Sequence, residues 1–86
     1  NFEIANIDAL LKRFDMYYSE AKSCLDNKLV MPGYDYILKC SHCFNLLDAR
    51  GAVSRDERMA YILRIRKLAE QAARLYLGIE EKVKTT

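Results

Sequence analysis

Apolar residues recur at steps of three and four along three segments of this chain, and nowhere do they alternate with period two over a useful length. That periodicity admits amphipathic helices and excludes a sheet-based fold. In the first segment the row is Ile7, Leu11, Phe14, Tyr18, Ala21 and Leu25, with Leu10, Tyr17 and Cys24 beside it. Asn6 is the expected N-cap, Asp8 lies in the first turn where the helix dipole favours an anion, and the helix is expected to run to about Asn27. Met31-Pro32-Gly33 is read as the break, with Pro32 suited to the first turn of the next helix.

The second segment places Tyr34, Ile37, Cys40 or Ser41, Phe44 and Leu47 on one side. Gly51 follows as a left-handed C-cap, and Arg50 sits where the helix C-terminus favours a cation. Ser54-Arg55-Asp56-Glu57 is a capping box, in which the Glu57 amide donates to Ser54 and Glu57 reaches back. The third stripe is Ile62, Ile65, Ala69, Ala72, Tyr76 and Ile79, with Gly78 expected to end or fray the helix. The expected fold is therefore all-α: an antiparallel bundle of three helices, about 7–27, 33–50 and 55–78, in one domain spanning 1–86 with a mobile tail at 80–86. The broad rows on the first helix are expected to leave apolar surface for a partner.

Size and composition narrow the function classes. A chain of 86 residues can build one modest core. Half of its residues are hydrophobic and 30% charged, the balance of a soluble globular protein. The opening segment carries Glu3 and Asp8, which is wrong for a targeting peptide, so the expected address is the cytoplasm. Asn1 in place of Met suggests a piece of a longer chain. The net charge of +2 is uneven, with −1 over residues 1–31, zero over 32–54 and +3 over 55–86. Arg58, Arg64, Arg66 and Arg74 on the third helix are candidate contacts for RNA or a partner, although they spread around much of its circumference.

The run Lys39-Cys40-Ser41-His42-Cys43-Phe44 looks at first like half of a metal or redox site. On a helix, however, Cys40 and Cys43 lie about 60° apart while His42 stands about 160° from Cys40. A structural zinc site takes four ligands, and no second Cys or His pair exists here. Redox pairs of this spacing usually open a helix, whereas this one sits in mid-helix. Both cysteines read as small packing residues, and no metal is expected. Ser41, His42 and Asp48 do not share the spacing of a hydrolytic triad, and no glycine-rich phosphate loop is present. The residues alone reach a helical interaction domain, with a free-standing protein-binding adaptor as one reading of it.

A more specific likeness lies in the stretch from Pro32 to Ala69. Pro32, Tyr34-Asp35, Lys39, Ser41-His42, Phe44-Asn45-Leu46-Leu47-Asp48-Ala49-Arg50-Gly51-Ala52, Ser54, Glu57-Arg58 and Tyr61-Ile62-Leu63-Arg64 closely resemble the C-terminal region of the alpha chain of bacterial two-subunit glycine-tRNA ligase. The first helix fits more loosely, at Phe14, Tyr18, Glu20 and Ala21-Lys22. The resemblance implies a class II aminoacyl-tRNA synthetase that joins ATP and glycine and passes the glycyl group to tRNA(Gly). It also implies a heterotetramer with a second alpha chain and two beta chains. ATP and magnesium would be held upstream of this region, so no catalytic, cofactor or metal residue is expected here. Cys40 and Cys43 stand where the family has small residues, Gly33 replaces a usual alanine, and Arg55-Asp56 and Met59-Ala60 also depart. Within this reading, Asn45, Asp48, Arg50, Gly51, Ser54 and Glu57 form a structural motif. Asn45, Asp48 and Arg50 are expected to fix the second turn, through backbone ends or Arg58 and Arg64.

Overall fold

A computed structural model describes the backbone of residues 2–85 and the side chains of residues 3–78. It contains three helices, α1 (Phe2–Asp26), α2 (Val30–Ala49) and α3 (Arg55–Thr85), and no strand among the described residues. They pack as a bundle, and the expected all-α class holds.

The helix ends differ from the sequence reading for local reasons. Asn6 lies inside α1 and is not its cap, because Glu3 already supplies the first-turn anion and Ala5 favours continuing the helix. At the other end of α1, the Leu29 amide donates to the Cys24 carbonyl at 2.8 Å and the Lys28 amide to Leu25 at 2.9 Å. This is a Schellman motif, and Lys28 occupies its left-handed position at φ 63°. The reversal is complete there, so Met31-Pro32-Gly33 belongs to the first turn of α2 and does not break the chain. Pro32 is tolerated because its missing N–H is one of the four that a helix start leaves unpaired. The α2 helix closes with a second motif of the same kind: the Ala52 amide donates to Leu47 at 3.0 Å and the Gly51 amide to Asp48 at 3.0 Å. Here glycine takes the left-handed position at φ 64°. Gly78, in contrast, has no positive φ, and α3 continues through it to Thr85. A mid-helix glycine costs only about 1 kcal/mol, and no proline follows to stop the helix. The tail expected to be mobile, 80–86, lies outside the described side chains.

Two clusters form the core. One joins Leu10 and Phe14 of α1 to Cys40, Cys43, Phe44 and Leu47 of α2, flanked by Tyr61, Ile62 and Ile65 of α3. The other joins Ala21 and Leu25 to Ile37, Leu68 and Ala72. The pairing of early α1 with late α2 and late α1 with early α2 is the antiparallel register. No polar or charged residue is buried among those described.

The third helix is turned from its expected face. Leu68 is buried, while Ala69 and Tyr76 are exposed; on α2, Tyr34 is likewise exposed. The seam follows Tyr61, Ile65, Leu68, Ala72 and Leu75 because Leu68 and the Tyr61 ring bring more apolar area than Ala69 could.

Gly33 marks the closest approach of α2 to α1. A Cβ there would lie 2.7 Å from Leu25 Cδ2 and 3.0 Å from Leu25 Cγ. Leu25 is itself fully buried, so it has little room to yield. Gly33→Ala is therefore expected to lower stability by about 1–3 kcal/mol through overpacking, despite alanine's better helix propensity. Lys28→Gly is expected to raise it by up to about 1 kcal/mol by relieving the left-handed lysine. Urea denaturation midpoints followed by circular dichroism check both signs.

Candidate functional site

The turn between α2 and α3 gathers most of the sequence-derived motif. After the Gly51 reversal, the Glu57 amide donates to Ser54 Oγ at 3.2 Å, and the Ser54 amide donates to Glu57 Oε1 at 2.9 Å. Two otherwise unpaired backbone donors at the start of α3 are thus satisfied. The Arg58 guanidinium then reaches back across the turn, with Nε 3.1 Å from Asp48 Oδ1 and Nη2 2.7 Å from Asp48 Oδ2. This planar fork fixes the exit of α2 relative to the entry of α3. The carboxylate raises the Arg58 pKa above its ordinary value, chiefly through these hydrogen bonds.

Asn45 and Arg50 do not join that clamp. Asn45 is exposed on α2, and Arg50 turns toward Glu3 of α1, 3.9 Å away. Arg50 therefore ties the turn to the start of α1, a link that sequence separation concealed.

The four arginines proposed for RNA or a partner divide into two pairs. Arg58 is held by Asp48. Arg64 lies 4.3 Å from the Tyr18 ring centroid, 5.0 Å from Phe14 and 5.7 Å from Tyr61, with Asp15 at 3.7 Å. Its guanidinium lies over the aromatic side of the core, where cation–π attraction supplements packing. Arg66 and Arg74 are exposed on α3 and meet no carboxylate among the described residues.

Cys40 and Cys43 lie in the α1–α2 seam. Burial pushes the Cys40 thiol up to about 11, with the neighbouring Cys43 adding to the effect, and burial also raises Cys43. Thiols so shifted are poor nucleophiles at neutral pH. His42 is exposed, and no three His, Cys, Asp or Glu side chains gather to hold a metal among the described residues.

The apolar surplus is centred on a different pair of helices from the one expected. Both α1 rows are largely covered. Between α2 and α3, however, Val30, Met31, Tyr34, Ala69, Ala72, Ala73 and Tyr76 line an open groove of about 310 Å³ without a charged side chain. Met31 is 68% exposed, Tyr34 47% and Tyr76 52%. Ala69 and Ala73, one turn apart, form its low floor. That small-residue spacing was visible in the sequence, but the rotation of α3 decided that it faces outward.

Residues 1–81 match the model of the glycyl-tRNA synthetase alpha subunit family, and the chain belongs to that family.

The turn predicts an acid response. Hydrogen bonds from Ser54 hold the Glu57 carboxyl below its ordinary value, and Gln71 is the main cause of a similar lowering at Asp26. A folded pKa below the unfolded one gives stability that is full above the unfolded value of about 4 and lost as pH falls through the folded one. The melting temperature is expected to drop from about pH 5 downward, and Glu57→Gln should make that drop shallower. Separately, Arg64→Gln is expected to cost about 1 kcal/mol, measured by urea denaturation at neutral pH.

Proposed function

We propose that this member of the glycyl-tRNA synthetase alpha subunit family is a non-catalytic helical domain that docks onto the rest of its synthetase through the α2–α3 groove. The family is a subunit of an aminoacyl-tRNA synthetase, a ligase of protein biosynthesis, and an alpha subunit implies a beta partner. No helix of the described residues is long and apolar enough to cross a membrane.

One observation carries the docking reading: the groove between Tyr34 and Tyr76 exposes large apolar side chains without a charge among its lining residues. Leaving such a surface in water costs free energy, and covering even one large side chain recovers about 1.5–3 kcal/mol. Its occupant in the assembled enzyme would be apolar surface of the catalytic domain or the beta chain. A second alpha chain, two beta chains and tRNA(Gly) complete the proposed assembly.

The parent reaction would consume ATP with magnesium to form glycyl-adenylate and then transfer glycine to tRNA. That pair is proposed to be held elsewhere in the synthetase. Among the described residues no three His, Cys, Asp or Glu side chains gather, and the sequence has no glycine-rich phosphate loop. This domain's contribution is therefore positional, with Asp48–Arg58 and the two Schellman turns keeping the groove walls in register.

The test places Ala73→Glu, which puts a carboxylate on the groove floor, in the intact alpha chain co-expressed with its beta chain. Co-purification is expected to weaken tenfold or more, or glycine-dependent ATP–pyrophosphate exchange to fall, while helicity of the isolated domain variant is unchanged. Normal assembly, exchange and aminoacylation together would remove the proposal.

A further inference from the structure

On the side of the α1–α2 pair that α3 leaves uncovered, both helices contribute to one groove. Its two parts, of about 320 and 200 Å³, share Leu10, Arg13 and Leu46, and no residue of α3 lines either. From α1 come Asn6, Leu10, Arg13 and Tyr17, at steps of four, three and four. From α2 come Lys39, Cys43, Leu46 and Arg50, at the same steps. Those steps keep each set on one face of its helix, so two ridges flank a track about 16 Å long, or about three helical turns.

The floor of this track is apolar and its banks are cationic. Leu10 and Cys43 are buried at the bottom, and Leu38 is 50% exposed beside them. Arg13, Lys39, His42 and Arg50 are exposed along the banks, and no carboxylate is among the lining residues. Lys39 is held there by the rings of Tyr36 and Tyr17, whose centroids lie 4.9 and 5.7 Å away. Glu3 lies 3.9 Å from Arg50 at the far end, outside the lining. Other surface cations also stand apart from carboxylates, so it is the combination of cationic banks and apolar floor that singles this groove out. Lys22 shares its recess with Asp26 and Arg55 shares one with Asp48, while Lys28, Arg66, Lys67 and Arg74 line none of these recesses.

We propose that the α1–α2 groove docks an amphipathic helix of a further protein chain, with an apolar ridge for the floor and carboxylates along both flanks. Two helical ridges at these steps form the kind of groove into which the side chains of a third helix interdigitate, and α3 packs against the same pair from the other side. Three turns accommodate the i, i+3, i+4 and i+7 anchors by which such a helix is held. Cations on both banks select an acidic helix over a basic one and steer its approach. The leucines decide against a bare polyanion, which gains nothing by covering them. The α2–α3 groove shares no residue with this one and has no charged lining, and neither assignment rests on the other.

The test titrates this chain into a fluorescein-labelled synthetic peptide of about 18 residues, with leucines at helical spacing and glutamates on the flanks, and reads anisotropy at about 150 mM salt. The peptide is expected to bind about tenfold more tightly than a scrambled peptide of the same composition, and than its counterpart with lysine for glutamate. Arg13→Glu/Lys39→Glu should weaken binding about tenfold, whereas Arg66→Glu/Arg74→Glu, an equal change of net charge outside the groove, should leave it within about twofold. Leu38→Asp should weaken it about fivefold, and Leu63→Asp, an exposed leucine of α3, within about twofold. Every substituted side chain is exposed, and unchanged helicity by circular dichroism confirms that each variant is folded. Absence of binding overturns the proposal. So does equal binding of the scrambled peptide, or equal loss in the two charge-reversed variants, either of which means undirected attraction between charges. Displacement of the peptide by a transfer RNA transcript at lower concentration than by unlabelled peptide would assign the groove to nucleic acid and overturn it too.

Discussion

The packing of Phe14 is the constraint on which the rest of the bundle depends. Its side chain is fully buried at the meeting point of the three helices, edge-on to Tyr61 of α3 at 4.7 Å. Its carbonyl lies 4.0 Å from the Cys40 thiol of α2, so the same residue measures the spacing to both neighbours. Arg64 covers the cluster from the solvent side. Because Tyr61 must reach Phe14 and Phe44, α3 is held in the rotation that buries Leu68 and presents Ala69, Ala73 and Tyr76 outward. An internal aromatic contact thus sets the external groove.

The two turns solve one problem with different residues. Both end a helix by left-handed reversal, and both release the next helix within a few residues. At Gly51 the conformation is free of side-chain strain. At Lys28 a residue with a side chain takes the same conformation, close in sequence to Leu25, which Gly33 approaches. The Asp48–Arg58 fork and the Ser54–Glu57 box then reinforce the second turn, where α3 has fewer buried neighbours than the α1–α2 pair provides for itself.

Much of the architecture was legible in the order of residues. The three stripes, the glycine reversal and the capping box are local signals, written within one or two turns of chain, and they appear where local physics puts them. The first reversal was misplaced because Pro32 and Gly33 are conspicuous while a left-handed lysine carries no local mark. Tyr34, Ala69 and Tyr76 were assigned to the core because periodicity identifies a stripe but not which edge of it a neighbour will cover. The arginines show the same limit: nothing near Arg64 in sequence reveals Phe14 and Tyr18, and nothing near Arg13 reveals Lys39.

By itself, then, the sequence determined that this chain is helical, where its two turns fall to within about three residues, and which family its central motif resembles, whereas α1 begins earlier and α3 ends later than their stripes suggest. Those properties depend on hydrogen bonds and spacings between residues close in the chain. Only the tertiary structure decided which cations are spent on internal carboxylates and rings, and which stand along a common track. It alone decided which apolar side chains remain outside, because both outcomes turn on the rotation of one helix against two others, a sum of contacts between residues distant in sequence.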